Sequence, residues 1–481
     1  MKSFKIYFAI SALMVSAFSS CKKDFLDLKP YNALPLETAL TTEADLYTAM
    51  NGVYASMRSA NLYGRTLPIK GDLMADNTFI KPSNSGRYLD FNQYNFNSAN
   101  ANANGVWTSA YVVIKNANLV INSTVAANAN VNQFKGEAYT ARALMYFELA
   151  RNFATPYTVN PDALGVPIVV KYNRDSLPPR NSLKEVYKLI VDDLNQAFTL
   201  MTFGLGSSLS IPNTSITRAN NSSYFTKYAA KALLAKVYMT MGDWDNAKAA
   251  ALDVVNNSGV TVVSNANFAA YWKSPTPRTD KVETIFEVSS DITNNNGTNS
   301  LYNFYDPNGY GDAVSTTNLY NTYTATDVRK ALIVPSGGYL VVQKYPNISN
   351  AADKDDTKIL RISDIILILA ETYARTSDEP NALIKLNQIA KARDASFAGF
   401  SSSGSQLITD IVNERRKELA FEGDRFFDLL RLNLPIAKVR GENPTVLINV
   451  PVTDYRRIFP IPQAETDANP NIRSQQNSGY L

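Results

Sequence analysis

The chain contains no histidine in 481 residues. That absence removes Ser-His and Cys-His nucleophile pairs, His-ligated zinc or haem, and the usual side chain for proton transfer near neutral pH. Cysteine occurs once, as Cys21, so there is no disulfide framework and no cysteine-rich metal site. An excess of charge of either sign is missing too: 47 Lys and Arg face 43 Asp and Glu, a balance that excludes an electrostatic nucleic-acid binder. After the leader no segment is long and apolar enough to span a bilayer, and the longest later apolar run, Ile365 to Ala370, fits a core helix. What remains is a chain 45% apolar and 11% aromatic but only 19% charged, able to bury a large core and unlike a disordered or collagen-like polymer. Its length accommodates about three domains of ~150 residues, or one extended helical array.

Residues 1–20 read as a secretory signal peptide: Lys2 and Lys5 give a basic start, Ile6 to Phe18 an apolar stretch, and Ser19 and Ser20 a small-residue approach to Cys21. This ending resembles a bacterial lipobox, in which the cysteine becomes the acylated N-terminus of the mature chain; Phe18 stands where leucine is usual. The alternative is an incidental thiol beside an ordinary cleavage site, and the lack of a second cysteine to pair with favours the anchor. Lys22, Lys23 and Asp24 would then form a charged, water-exposed tether.

Helical spacing dominates the rest. Thr42 can cap a helix with apolar positions at Ala44, Leu46, Ala49, Met50, Val53 and Tyr54. Phe134 to Phe153 carries Ala138, Ala141, Met145, Leu149 and Phe153 on one face, widened by Leu144 and Phe147. Asn181 or Ser182 opens another helix, marked by Leu183, Val186, Tyr187, Ile190, Leu194 and Ala197. Two segments repeat each other: 228–256 has Leu234, Ala235 and Tyr238, the turn Gly242-Asp243, then Ala247, Ala251 and Val254. Likewise 361–393 has Leu369, Ala370 and Tyr373, a polar turn at Thr376 to Pro380, then Ala382, Leu386 and Ile389. A Tyr nine residues before an Ala, across a short turn, is the tetratricopeptide helix-turn-helix arrangement. Two such pairs do not make a stable solenoid, so further pairs are expected from the helices near 131–153, 182–200 and 405–421.

Between the helices, residues 77–105, 257–358 and 433–481 are rich in Asn, Tyr and Gly and lack helical periodicity. They read as long ordered loops, with short hairpins expected at Val260 to Val263 and Thr284 to Val288. Loops of this length are usually functional. The charged run Glu414, Arg415, Arg416, Glu418, Glu422, Asp424, Arg425 and Asp428 reads as a partly buried Arg-carboxylate scaffold, not as acid/base machinery. Asp353, Asp355 and Asp356 hint at a calcium loop, but the central glycine is missing and Asp364 stands where glutamate is required, so no metal is expected.

The segment Asn413 to Arg431 reads NERRKELAFEGDRFFDLLR, and beyond it lie Phe459-Pro460-Ile461-Pro462, Glu465, Asn469-Pro470, Gln476-Asn477 and Gly479-Tyr480. With Lys135 to Leu149, Pro179 to Tyr187 and the lipobox, these ordered motifs resemble the SusD/RagB family of Bacteroidota outer-membrane lipoproteins across the whole mature chain. The resemblance implies a mainly α fold, with tetratricopeptide-like helix pairs as scaffold, long irregular loops and a few short strands. It implies one SusD-like domain over residues 21–481, with an N-terminal part to about 220 and a C-terminal part from about 221. It further implies a non-catalytic, surface-exposed lipoprotein without a cofactor that sits as a lid over a SusC-type TonB-dependent transporter and passes glycan to it. In such families the helix pairs face the transporter and loops on the other side hold the ligand.

Sugar binding needs flat apolar faces for pyranose C–H surfaces and polar side chains for directional hydrogen bonds to hydroxyls. Two loop regions offer both. The first holds Asp72, Asp76, Asn77, Arg87, Tyr88, Asn92, Tyr94, Asn95 and Phe96; the second holds Tyr271, Trp272, Tyr302, Asn303, Phe304, Tyr305, Tyr310 and Tyr320. Taken singly, each ring also fits a small core of its own loop. Trp107, on a helix with Tyr111, Ile114 and Asn118, and Trp244, at a helix-turn-helix corner, read as core. The leading reading is therefore a glycan-binding lipoprotein. A RagB-like peptide-binding component, a surface glycoside hydrolase with two carboxylates and a purely structural adaptor are the alternatives.

Overall fold

The computed structural model describes residues 40–171, 173, 175–273, 281–345, 356–438 and 449–480. The leader with Cys21, and Asp353 and Asp355, lie outside the described residues. The first described helix, Glu43–Met57, starts where Thr42 forms a capping box: its hydroxyl accepts from the Asp45 amide and the Asp45 carboxylate accepts from the Thr42 amide. Ser182 and Glu185 repeat that device at helix Leu183–Leu200, whose buried residues include Leu183, Val186, Tyr187, Ile190, Leu194 and Ala197, the stripe expected from spacing. Helix Ala129–Phe153 is buried on several sides because it packs against both Ala101–Ile121 and Leu183–Leu200. Leu144, Met145, Phe147 and Leu149 each contribute roughly 1.5–3 kcal/mol there by leaving water.

The two repeated segments fold as two copies of one unit. Helices Lys227–Met241 and Trp244–Asn257 are joined at Gly242, which has positive φ, and helices Ile362–Arg375 and Glu379–Arg393 at Ser377, which also has positive φ. After that residue an aspartate caps the second helix in each copy. Asp243 accepts from the Asn246 amide as Asp378 does from Asn381, both at 3.3 Å, and the Asn side chain returns a 2.8 Å bond to the same carboxylate. The capping amide itself donates to the carbonyl of Tyr238 in one copy and Tyr373 in the other. Ala247 and Ala382 are fully buried beneath these turns. The second helix of the first copy packs on the first helix of the second, so pairs distant in sequence stack side by side.

The loop segments carry more regular structure than periodicity suggests. A four-stranded antiparallel sheet runs Thr78–Ile80, Ala313–Ser315, Tyr339–Val342, Ile333–Ser336 in spatial order. Thr284–Val288 is a strand, but its partner is Thr357–Arg361, which leads straight into helix Ile362–Arg375; the expected hairpin is not formed. Residues 260–263 form no strand. Across this junction runs a buried ion network: Glu418 binds Arg361, Arg393 and Arg329, and Glu283 binds Arg361 and Arg393. Glu414, Arg415, Glu418 and Asp428 are all buried with partners of opposite charge, as a scaffold requires. Among the described residues no helix is long and apolar enough to cross a membrane.

Candidate functional site

The candidate residues divide by burial, and the division follows what each side chain touches. Tyr88 donates or accepts with Thr66 at 2.7 Å, accepts from Arg65 Nε at 2.7 Å and stands edge-on to Phe304 at 5.3 Å. Tyr94 donates to the Met74 carbonyl, and Phe96 packs among Phe91, Phe459 and Tyr480. Tyr302 donates to the Asp356 carbonyl, and Tyr305 stacks on Tyr345. Tyr271 shares a 2.6 Å bond with Thr284, and Trp272 has Lys344 Nζ 4.2 Å from its ring centre. All eight of these rings are buried, so none presents a stacking face to a sugar; the loops use them as a second core, because long loops need apolar anchors of their own.

The acidic and amide candidates are also committed inside the protein. Asp72 is buried and accepts from Tyr305 at 3.2 Å; burial pushes its carboxyl well up. Asp76 takes Arg425 bidentately at 2.9 Å through both oxygens; burial raises its carboxyl, and Arg425 more than offsets this to leave it lowered. Asn77 and Asn92 are buried, and Asn77 accepts from Arg416 Nε at 2.8 Å. Asp76 and Asn77 pin the 72–77 segment to the charged run through Arg425 and Arg416 instead of facing solvent, which corrects the expectation from sequence. Trp107 is buried as expected and its indole donates to Glu465 at 3.2 Å, while Trp244 is only half-buried against the core.

Arg87, Tyr310 and Tyr320 are different: all three remain partly exposed. The Arg87 guanidinium lies 3.8 Å from the centre of the Tyr310 ring and has no hydrogen-bond or ion-pair partner among the described residues. Its loop is held from below. Lys81 and Ser85 amides donate to the Asp312 carbonyl and carboxylate, the Asn84 amide group donates to the Lys81 carbonyl, and the Gly86 amide donates back to Asn84. The Tyr310 loop is equally fixed: its amide donates to the Asn303 carbonyl, and Gly309 sits so close that a Cβ there would lie 2.5 Å from that same oxygen. Tyr320 lies under Lys330 Nζ at 4.6 Å, in a separate position on helix Thr317–Tyr320.

Two residues that the sequence reading passed over complete this surface. Lys81, next to strand Thr78–Ile80, places its ammonium 5.7 Å from the ring of Tyr339, which opens strand Tyr339–Val342. Tyr339 follows the tight turn Gly337-Gly338, both with positive φ, a two-residue hairpin connection only glycine takes without strain. The Gly-Gly pair between short apolar stretches was the available signal for this hairpin. Beside it opens a cleft of about 160 Å³ lined by Phe79, Thr317, Gly338, Tyr339 and Leu340. The sheet thus sets two half-buried tyrosines, a stacked guanidinium and an ammonium on preorganised loops. Such a surface offers ring faces and hydrogen-bond donors together, the chemistry that polyhydroxylated ligands require.

Comparison with known proteins agrees from end to end. Residues 24–239 match a family described as starch-binding associating with outer membrane, and residues 288–480 match the SusD family. A SusD-like protein from Formosa agariphila is 27% identical over the full length of both chains, and one from Bacteroides ovatus is 23% identical over 89% of this chain and 82% of its own. Among solved structures, a SusD superfamily protein from Bacteroides thetaiotaomicron superposes with a TM-score of 0.80 at 26% identity, covering 91% of this chain and all of its own. A candidate sugar-binding protein from Bacteroides vulgatus gives 0.81 at 26%, covering 92% and 100%. With both halves matched in order and the helical scaffold shared, the chain belongs to the SusD family.

Proposed function

We propose that the mature protein is a non-catalytic, cell-surface glycan-binding lipoprotein that captures oligosaccharide on the Arg87–Tyr310 and Lys81–Tyr339 surface and passes it to a SusC-type TonB-dependent transporter. The observation that carries this reading is the stacked guanidinium of Arg87, otherwise unpartnered among the described residues: one face is fixed by Tyr310, and its donors are left for a ligand. Membership of the SusD family and the sugar-binding description of a 26% identical relative support the substrate class. Attachment through an acylated Cys21 would hold the protein at the outer membrane by lipid alone. Micromolar to millimolar affinity, about 4–8 kcal/mol, suits a step that must release its cargo.

Calorimetry of a Cys21→Ala chain without the leader, against plant, host and fungal polysaccharides and against peptide mixtures, tests the proposal. Saccharide binding that weakens in Arg87→Ala and Tyr339→Ala supports it. Heat from peptides alone would replace it with a RagB-like peptide-binding role, and saccharide binding indifferent to both substitutions would move the site elsewhere.

A further inference from the structure

The end of helix Glu43–Met57, the 221–224 turn and the chain leaving strand Thr284–Val288 enclose a second cleft, of about 420 Å³, that shares no lining residue with the sheet-end cleft. Its size falls in the range of small-ligand sites, and its wall is polar. Arg58 Nε donates to the Ser289 carbonyl at 2.7 Å, which fixes the guanidinium plane, while its terminal nitrogens have no partner among the described residues. Opposite in character is Glu287, wholly buried: Oε1 accepts from Ser222 at 3.2 Å and Lys281 at 2.8 Å, whereas Oε2 accepts no hydrogen bond among the described residues and has Lys358 Nζ 4.0 Å away. Oε2 thus has a cation beside it but no hydrogen-bond donor among the described residues, and because Glu287 lines the cleft, a hydroxyl donor from outside the protein is the natural complement.

The rings of Tyr54 and Tyr224 meet edge to face in the same wall, with centroids 5.4 Å apart. Tyr54 is saturated, donating to Glu137 at 2.9 Å and accepting from the Phe225 amide at 3.0 Å, whereas the Tyr224 hydroxyl has no partner among the described residues. The exposed amides of Asn51, Asn221 and Asn294 add donors and acceptors in equal measure. Charge is balanced: Lys281 is paired with both Glu287 and Asp356, and the Asp291 carboxyl is held low by hydrogen bonds from Asn294 and Thr293, with Arg58 adding a smaller contribution. A ligand for this wall must donate and accept at once, carry apolar C–H faces and need no net charge.

We propose that this cleft is a second saccharide site, taking an uncharged sugar unit whose adjacent hydroxyls accept from Arg58 and another of whose hydroxyls donates to Glu287. It extends the glycan-binding reading from one site to two. The test is the stoichiometry of the leaderless full chain with maltotriose, cellotriose, xylotriose and mannotriose, with trigalacturonate as the charged comparison. Asn221→Trp fills the cleft from an exposed position, Asn51→Trp does so from another wall, and Arg87→Ala with Tyr310→Ala removes the sheet-end surface; thermal melts confirm that each variant is folded. Two sites in the wild type, one in either tryptophan variant and one in the double alanine variant are expected. A single site, lost in the double alanine variant and untouched by both tryptophans, overturns the second site and leaves the first reading standing. A single site lost only with the tryptophans keeps the cleft and overturns the sheet-end surface. No binding of any trisaccharide overturns both, and tighter cleft binding of trigalacturonate overturns the uncharged class.

Discussion

Arg393 and Glu418 form a bidentate ion pair, Nε to Oε2 at 3.0 Å and Nη2 to Oε1 at 2.9 Å, with both side chains sealed from solvent. The same carboxylate takes Arg361 Nη1 at 3.0 Å and Arg329 Nη1 at 3.2 Å. One glutamate at the end of helix Gly404–Glu418 therefore holds guanidiniums from three other segments: Arg361 ends strand Thr357–Arg361, Arg329 lies just before strand Ile333–Ser336, and Arg393 ends helix Glu379–Arg393. Burial by itself raises the Glu418 carboxyl, but Arg393, then Arg361 and Arg329 outweigh it and hold the group well below the usual range.

Glu418→Gln leaves those guanidiniums buried without their shared counter-charge, and should destabilise the fold by about 3–5 kcal/mol. The exposed pair Lys188–Asp192, at 2.6 Å with most of both side chains in water, gives the contrast: Asp192→Asn should change stability by less than ~1 kcal/mol. Urea midpoints at unchanged slope would show the difference. Equal effects would mean that the network contributes no more than surface charge does.

Two glycines in helices should respond to alanine with opposite sign. A Cβ on Gly71 would lie 1.9 Å from the Gly423 carbonyl oxygen, backbone that cannot swing aside, so Gly71→Ala should cost about 3 kcal/mol or more. Gly52, exposed within helix Glu43–Met57, has nothing within 4 Å, and Gly52→Ala should stabilise by about 1 kcal/mol. A thermal shift of the same sign in both would contradict the close approach of helix Thr66–Leu73 to Gly423.

What the sequence disclosed and what it withheld separate along one physical line. The helices, the capping boxes at Thr42 and Ser182 and the twin turns at Gly242-Asp243 and 376–380 rest on neighbours within a few residues, so spacing alone exposes them. Strand Thr78–Ile80 is three residues long and pairs with Ala313–Ser315, more than two hundred residues away, which no local period records. The same limit hid the candidate site. Tyr302, Phe304 and Tyr305 look like Tyr310 in sequence, yet the first three fall on the inner side of a short helix and the last on its outer loop. Composition could mark the region; only the pairing of distant strands decides which rings meet solvent.

Lys438 predicts a pH effect. It is buried, donates to the Leu73 and Ala75 carbonyls, and is pushed down to about 7 by burial, which Asp76 only partly counters. A lysine whose folded pKa lies below its unfolded value binds fewer protons in the folded state between the two. Its burial therefore costs stability in full below pH ~7, and the cost is relieved as pH rises towards the unfolded value near 10.4. The stability of the wild type minus that of Lys438→Met should then grow with pH across that window, by up to about 5 kcal/mol. A difference that stays flat from pH 7 to 10 would show that Lys438 keeps its charge inside the fold.

Trp272 and Arg87 give the last and most discriminating pair. Both are candidates that sequence marks for ligand contact, one in each loop region, but Trp272 is buried, with Lys344, Lys358 and Arg361 at 4.2, 4.9 and 5.2 Å from its ring. Those cations already fill the space that a sugar would need, so the ring acts as a wall of the charged core. Trp272→Ala should cost about 3–5 kcal/mol of stability and leave the affinity of the molecules that remain folded unchanged. Arg87→Ala removes a side chain with a single ring contact at the surface, and should leave the melting temperature nearly untouched while weakening saccharide binding about tenfold, or 1.4 kcal/mol. Melting curves and calorimetric titrations on both variants check this double separation. If Trp272→Ala instead lost binding at unchanged stability, the buried ring would have to open to the ligand, and the sheet-end surface would not be the place where the glycan is held.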